Sequence, residues 1–476
     1  MQADPSAFST NARLALEDPK LQQALGKLQG DFRRDRAAML SRLPEFDALR
    51  DQARTIKDHA LDHLADYLEQ FEERVVARGG SVHWCEDAAA AQETILRLCR
   101  QSGGSRIVKG KSMVSEEIGL NDYLSKNGLD PVETDLGEYI LQLRRERPSH
   151  VVMPAIHLNA RQVGDAFREG HTDLAPSRSL DHPDDLLAEA RAKLRQKFLD
   201  ADVGITGANF LVAETGSIVL VTNEGNGDLV HTLSGTHIVL AGIEKVVPTL
   251  SDAFALVRVL ARSATTQEIT SYTSIVSGPR QANDPDGPAA FHVVLVDNGR
   301  SKLLGGAFRD VLRCIRCGAC QSLCPVYGAV GGHAYGAVYA GPIGSVLTPA
   351  LTSLKAAKPL PEASSLCGQC QDVCPVHIPL PALLRRWREK IFDDRALSDV
   401  TRRGIKIWAF IARRPELYRL FQRLAVALLA GMGRKSGYIR KLPLAGGWTD
   451  ARDLPAPQGG TFMSQWRRRQ GKEPPS

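Results

Sequence analysis

The chain lacks any stretch that reads as a membrane span or an export signal. Its most apolar window, LYRLFQRLAVALLAGMG, carries Arg419 and Arg423 and is shorter than the roughly 20 apolar residues that cross a bilayer. The opening MQADPSAFSTNARLALEDPK mixes acids with a proline and has no basic flank followed by an apolar run, so export is not expected. There is no Walker loop and no dinucleotide or flavin fingerprint, which gives no ground for expecting a bound nucleotide. No recognised nucleic-acid module accompanies the basic residues, so no nucleic-acid partner is expected. Disorder and low-complexity classes are excluded by 43% hydrophobic and 24% charged residues. A chain of 476 residues has room for two to four domains at about 100–200 residues each.

Charge is unevenly placed. From 381 to the end, 21 Lys and Arg face 8 Asp and Glu, a local charge of +13 that leaves −7 on the first 380 residues of a chain with net charge +6. Such a tail is either a solvated face or a docking surface for an acidic electron-accepting partner or, peripherally, a membrane.

The order of patterns divides the chain into four regions: 1–78, 79–300, 301–392 and 393–476. In the first, Leu21, Leu25, Leu28 and Phe32 recur at helical spacing, and ARTIKDHALDHLADYLEQFEERVVARGG continues the pattern to Gly79 and Gly80. This region reads as a helical lead-in without chemistry; His59 and His63, four apart on one helix, have no third ligand nearby and read as surface histidines.

The second region alternates short apolar runs (SVHW, SRIVKG, PVETDL, HVVMPAI, THIVLAGI, FHVVLVD) with amphipathic helices. That alternation predicts an α/β domain with a largely parallel sheet, whose ligands collect at the carboxyl ends of strands. At one such end, Lys109 and Lys111 precede Ser115, Glu116 and Glu117, where Ser115 reads as an N-cap and the lysines as either an anion site or a solvated turn. In GITGANFLVAETGSIVLVTNEGNG, glycines punctuate a hairpin with Glu214, Thr215 and Gly216 at its turn. Lys111, Glu214, Thr215 and Gly216 are therefore candidate ligand-pocket residues.

Seven of nine cysteines fall between 314 and 374. Their odd number and C-x-x-C rhythm, without an export signal, point to thiolates holding metal in a reducing compartment, and the cytoplasm is the expected location. Cys85 and Cys99 read as core thiols. In RCIRCGACQSLCPVYG, Cys314, Cys317, Cys320 and Cys324 have C-x2-C-x2-C-x3-C-P spacing, by which three thiolates wrap one iron–sulfur cluster and the fourth reaches a second. Zinc sites usually set two ligand pairs apart, whereas four thiols here lie within eleven residues.

The echo SSLCGQCQDVCPVHI places Cys367, Cys370 and Cys374 in the later positions and Ser364 in the first. If the two motifs cross as in two-cluster ferredoxins, Cys314, Cys317, Cys320 and Cys374 complete one cluster, and Cys324, Cys367 and Cys370 leave the other with an open corner. Four outcomes stay open there: Ser364 Oγ binds iron, His377 reaches round, a three-iron cluster forms, or an exchangeable iron takes water or a small ligand. A hydroxyl, harder and more basic than thiolate, would shift the potential.

KGKSMVSEEIGLN, GITGANFLVAETGSIVLVTNEGN, SGPRQANDPDGPAAFHVVLVDNGRS, CIRCGACQSLCPVYG and SSLCGQCQDVCPV, in this order, resemble the lactate utilisation protein B family, the iron–sulfur subunit of the bacterial L-lactate utilisation system. The resemblance covers nearly the whole chain. It implies a multidomain α/β plus all-α protein: N-terminal helices, a lactate-utilisation α/β domain similar to the ribose-phosphate isomerase and coenzyme A transferase group, a helical ferredoxin-type domain and a basic C-terminal region. It further implies two clusters, both 4Fe-4S, on the seven cysteines named above, with three in the second set as a family trait. The implied partners are a cysteine-rich electron-handling subunit and a smaller lactate-utilisation-domain subunit, and the implied role is electron transfer during oxidation of L-lactate to pyruvate. The rival readings are a stand-alone ligand-binding or acyl-handling enzyme using Lys111 and Glu214, and an iron–sulfur redox sensor.

Overall fold

The structure is a computed structural model, and it describes residues 4–175, 177–442, 449, 452–458 and 460–471. They form two compact units, 1–390 and 391–476.

The first unit is built on ten strands: β1 (Ser81–Cys85), β2 (Arg106–Lys109), β3 (Asp130–Glu133), β4 (Val203–Thr206), β5 (Phe210–Val212), β6 (Ser217–Thr222), β7 (Thr236–Gly242), β8 (Val246–Val247), β9 (Tyr272–Val276) and β10 (Ala290–Val296). Six of them make a sheet of order β1-β10-β7-β4-β2-β3 in which every neighbouring pair is parallel. Its central strands are apolar runs because helices cover both faces. Ile238 and Leu240 of β7 pack with Ile95 and Cys99 on one side, while Val239 and Ala241 pack with Leu68, Phe71 and Val75 on the other. A second, mixed sheet has order β8-β5-β6-β9. The turn between β5 and β6 needs Gly216, whose φ is +67° and whose place for a Cβ lies 2.7 Å from the backbone of Arg74.

Four helices, Phe8–Glu17, Pro19–Arg42, Phe46–Asp62 and Leu64–Ala77, precede β1. The stripe read from sequence is real: Leu25, Leu28 and Phe32 are buried. Its destination, however, is the cysteine region, since Leu25 and Leu28 pack with Cys324, Tyr327 and Tyr335. HVVMPAI is no strand; 149–157 is an ordered loop whose polar groups find partners elsewhere. Val151 N–H donates to Gln321 Oε1 (3.2 Å), Val152 C=O accepts from Lys111 Nζ (2.8 Å), and Ser149 C=O accepts from the Tyr327 hydroxyl (2.8 Å). An apolar run can thus be buried without a ladder when side chains satisfy its backbone.

The second unit contains helices Asp399–Ala412, Pro415–Met432 and Phe462–Arg469 and a short antiparallel pairing of Tyr438–Ile439 with Leu454–Pro455. Trp466 lies on the last of these helices, although the prolines and scattered tryptophans of the final forty residues give no helical signal; Pro443 and Trp448 lie outside the described residues. Among the described residues, no helix is long and apolar enough to cross a membrane.

Candidate metal centre

The two cysteine motifs share one local backbone. In the first, Arg316 (φ +60°) and Gly318 (φ +73°) are left-handed, and a short helix follows at Ala319–Ser322. In the second, Leu366 (φ +56°) and Gly368 (φ +92°) are left-handed, and Gln369–Asp372 follows. In the first motif this reversal brings Cys314, Cys317 and Cys320 onto one cavity. The N–H of Arg316 donates to Cys314 Sγ (3.4 Å), and the N–H of Leu366 donates to Ser364 Oγ (3.1 Å). Ser364 Oγ therefore stands in the second turn where Cys314 Sγ stands in the first.

The motifs pack against each other so that Cys314, Cys317, Cys320 and Cys374 line one cavity together with Val151 and Ile343. Cys324, Cys367 and Cys370 form a neighbouring group, close enough that Cys324 and Cys367 act electrostatically on Cys370. The two groups adjoin through Cys320, which feels Cys370 as well as its own three partners. Burial, with neighbouring thiolates, pushes Cys317 and Cys320 well up, Cys370 up to about 12 and Cys374 up to about 11. Buried thiols crowded in this way ionise together only around a cation, so the donor set fits iron–sulfur ligation. His377 does not join the second group: its Nε2 lies 3.3 Å from Asp51, and the charges acting on it are Arg50, Asp51, Arg54 and Asp47.

The first group sits beside the carboxyl end of β7, where Glu244 and Lys245 follow the strand. Arg316 reaches Glu244 Oε1 (3.3 Å), Arg300 Nε lies 2.7 Å from Glu244 Oε2, and Lys57 Nζ donates to the Glu244 carbonyl (2.5 Å). Despite burial, Arg300, Arg316 and Lys245 hold the Glu244 carboxyl down at about 2. Burial lowers Lys57 and Lys245 to about 8, and the Cys314 thiolate acts to raise both. Arg300 is also paired with Glu117 (2.8 Å), which accepts from the Tyr339 hydroxyl (2.6 Å). Four cations, Lys57, Lys245, Arg300 and Arg316, thus meet two carboxylates beside Cys314.

The N-terminal helices, expected to carry no chemistry, hold this region. Arg50 donates to the carbonyls of Cys374 (2.9 Å) and Asp372 (2.7 Å), Gln29 to that of Cys324 (2.8 Å), and Asp58 pairs with Arg313 (2.5 Å). Tyr335 is another residue that spacing could not reveal. It is 0% exposed, its hydroxyl has no hydrogen-bond partner among the described residues, and burial plus the Cys324, Tyr327 and Cys320 charges raise its pKa. The one sequence signal for these groups was charge inside apolar stripes, as at Arg50 and Lys57.

The remaining candidates separate. Lys111 Nζ is held by Asp135 (2.9 Å) and the Val152 carbonyl, whereas Glu214 Oε2 accepts from the Leu250 N–H (3.0 Å) at the start of helix Leu250–Thr265. They belong to different sheets and share no partner, and Thr215 and Gly216 remain with Glu214 in the β5–β6 turn. Lys109 is not solvated: it is buried and bonded to Glu133 (2.7 Å) and Ser115 (2.7 Å). The N-cap there is Ser112, one turn earlier than expected, because Ser115 is occupied by Lys109. With both lysines neutralised, no anion site forms. Cys85 and Cys99 are buried core thiols.

Comparison with known proteins gives three family matches: LUD domain over residues 68–296, 4Fe-4S dicluster domain over 310–378, and Lactate utilisation protein B, C-terminal, over 396–471. The chain is 42% identical to the uncharacterized electron transport protein YkgF of Escherichia coli K12, over 98% of this chain and 97% of that protein. It is 43% identical to lactate utilization protein B of Geobacillus thermodenitrificans, over 100% of both chains, and 41% identical to that of Bacillus subtilis, over 99% and 98%. A solved structure, a DUF162 family protein from Deinococcus radiodurans, aligns with 49% of this chain and 98% of its own at 15% identity and a TM-score of 0.29, too low a likeness to bear on the fold. On the full-length identities, this chain belongs to the lactate utilization protein B family.

Proposed function

We propose that the chain is the iron–sulfur electron-transfer subunit of a multi-subunit, cytoplasmic complex that oxidises L-lactate to pyruvate and supports growth on lactate. The observation that carries this reading is the pair of adjoining cysteine groups, one beside the carboxyl end of a parallel sheet and the other reaching the surface at the exposed Cys367. Oxidation of one L-lactate releases two electrons and two protons, and bound iron–sulfur clusters supply single-electron acceptance.

Cys314, Cys317, Cys320 and Cys374 would hold one 4Fe-4S cluster, and Cys324, Cys367 and Cys370 the other. The shared turn geometry supports Ser364 Oγ as the fourth ligand of the second. Lys57, Lys245 and Arg316 offset negative charge at the first group, and the Tyr335 hydroxyl is available to donate to a sulfur at the second. Lactate chemistry then belongs to the companion subunits, a cysteine-rich electron-handling protein and a smaller lactate-utilisation-domain protein. The basic unit 391–476, with exposed Ile407, Trp408, Leu424 and Leu428, is the proposed contact with a partner, with the electron acceptor or peripherally with a membrane.

Anaerobic protein mixed with L-lactate and the companion subunits should give reduced clusters by electron paramagnetic resonance, and the isolated chain should not turn lactate over. Turnover by the chain alone, or no cluster reduction in the complete mixture, overturns the reading.

A further inference from the structure

A second constellation lies outside the cysteine groups. Glu146 follows helix Leu136–Arg144, His157 ends the loop that covers the cysteine region, and His333 opens a short turn in the insert between the two motifs. One donor atom from each lies within 4.8 Å of those of the other two. The two imidazole rings are 4.5 Å apart, centre to centre, at 66°.

Hydrogen bonding fixes which nitrogen of His333 carries the proton. His333 Nε2 faces the Arg147 carbonyl at 2.7 Å, and a carbonyl only accepts, so this nitrogen is N–H and Nδ1 keeps its lone pair. His157 Nε2 and Glu146 Oε2 lie 2.9 Å apart, a spacing at which a divalent ion can displace the shared proton and take both atoms as ligands. His157 Nδ1 is buried and has no hydrogen-bond partner among the described residues, so no bond on that side turns Nε2 away from the ion. A ring N–H tied to a backbone carbonyl, as at His333, is the arrangement that orients metal-binding histidines.

The charge states agree with this. The hydrogen bond from His157, with help from Arg144, holds the Glu146 carboxyl down at about 2. Arg144 occupies Glu146 Oε1 (2.9 and 2.6 Å) and leaves Oε2 to the histidine side. Two imidazoles and a carboxylate suit a divalent first-row transition ion, whereas calcium and magnesium require oxygen ligands throughout.

We propose that Glu146, His157 and His333 bind a divalent transition-metal ion of the zinc class, separate from the iron–sulfur centres, with water completing its coordination. The ion ties the loop of the α/β domain to the insert between the cysteine motifs. His333 is two residues from Tyr335, which packs with Cys324 of the second cysteine group, so the metal fixes the backbone that positions that ring.

The test uses full-length, cluster-containing protein, equilibrated anaerobically with zinc sulfate and freed of excess by gel filtration. Zinc and iron are counted by mass spectrometry, and the zinc environment is read by X-ray absorption at its K edge. The expected result is about one zinc per chain in a nitrogen and oxygen shell with imidazole scattering and no sulfur. Retention should fall at least about tenfold in H157A and H333A with iron unchanged, and stay intact in the H59A/H63A control. A wild-type protein that retains no zinc, a shell containing sulfur, or loss of zinc in H59A/H63A would overturn the proposal. Because the absorption spectrum is taken on the wild type, a variant that fails to fold does not shield the proposal from refutation.

Discussion

The two cysteine groups have the same turn and different surroundings. Arg316 and Gly318 on one side, and Leu366 and Gly368 on the other, take the same left-handed conformations. Yet around the first group no cysteine is fully exposed, and Arg36, Arg50, Lys57, Lys245 and Arg316 act on it or are acted on by it. Around the second, Cys367 is exposed, a serine replaces the fourth cysteine, and the charges that act on Cys370 are its neighbouring thiolates. Local sequence sets the geometry of a motif, while elements distant in the chain set its electrostatics. A positive surround favours the reduced form of an anionic centre, so the first cluster is expected to have the higher potential.

The most severe way to break the comparison is to remove a ligand that belongs to one group alone. Replacing Cys317 by Ala should abolish the first cluster, lowering bound iron by about half, and leave the resonance of the second. Iron and sulfide counts with electron paramagnetic resonance check it. If both signals vanish in a protein that is still folded by circular dichroism, the two groups are not separable.

Charge is the next lever. Lys245→Met keeps the side-chain volume close and removes one cation beside Cys314. A unit charge about 4 Å away at an effective dielectric of about 20 is worth about 4 kcal/mol, and neighbouring counter-charges leave only a fraction of it. The potential of the first cluster should fall by on the order of 50 mV, which for one electron is about a tenfold change in equilibrium. The second cluster should move much less. Equal shifts in a potentiometric titration would show that the cationic surround serves both.

A smaller effect is expected at the open corner. If Ser364 Oγ ligates iron, Ser364→Ala should change the spectrum of the second cluster alone, and Ser364→Cys should restore a four-thiolate centre of altered potential. A spectrum indifferent to Ser364→Ala would assign that corner to water or another ligand.

What could be read in advance divides along the same line. Parallel strands β4, β7 and β10 announce themselves as buried apolar runs, and the cysteine spacing announces iron–sulfur ligation, because both are local patterns. The cationic surround was not legible: Lys57 and Lys245 are 188 positions apart, and nothing in either segment says that they meet at Cys314. HVVMPAI shows the opposite failure, in which a strand-like composition packs as a partly buried loop because Gln321 and Lys111 satisfy its backbone and Tyr327 that of the preceding Ser149. Pairing partners supplied by distant segments carry no periodicity, so no window of sequence contains them. The same holds for Glu146, His157 and His333, which lie in three segments and lack any metal-binding spacing.

The smallest expected effect tests whether a carboxylate at a tight turn is a site or a support. Glu214 accepts the N–H of Leu250, one of the backbone donors that the first turn of helix Leu250–Thr265 cannot satisfy internally. Thr249 and Asp252 already close a capping box there, so the helix start has reinforcement without Glu214. Glu214→Ala should therefore cost only about 0.5–1 kcal/mol, a melting-temperature drop of a few degrees at most in a unit of this size. Both cluster spectra and lactate-dependent reduction should be unchanged. A loss of lactate-dependent electron transfer with normal stability would return Glu214 to the list of functional groups and would locate substrate chemistry on the second sheet, far along the chain from both cysteine motifs.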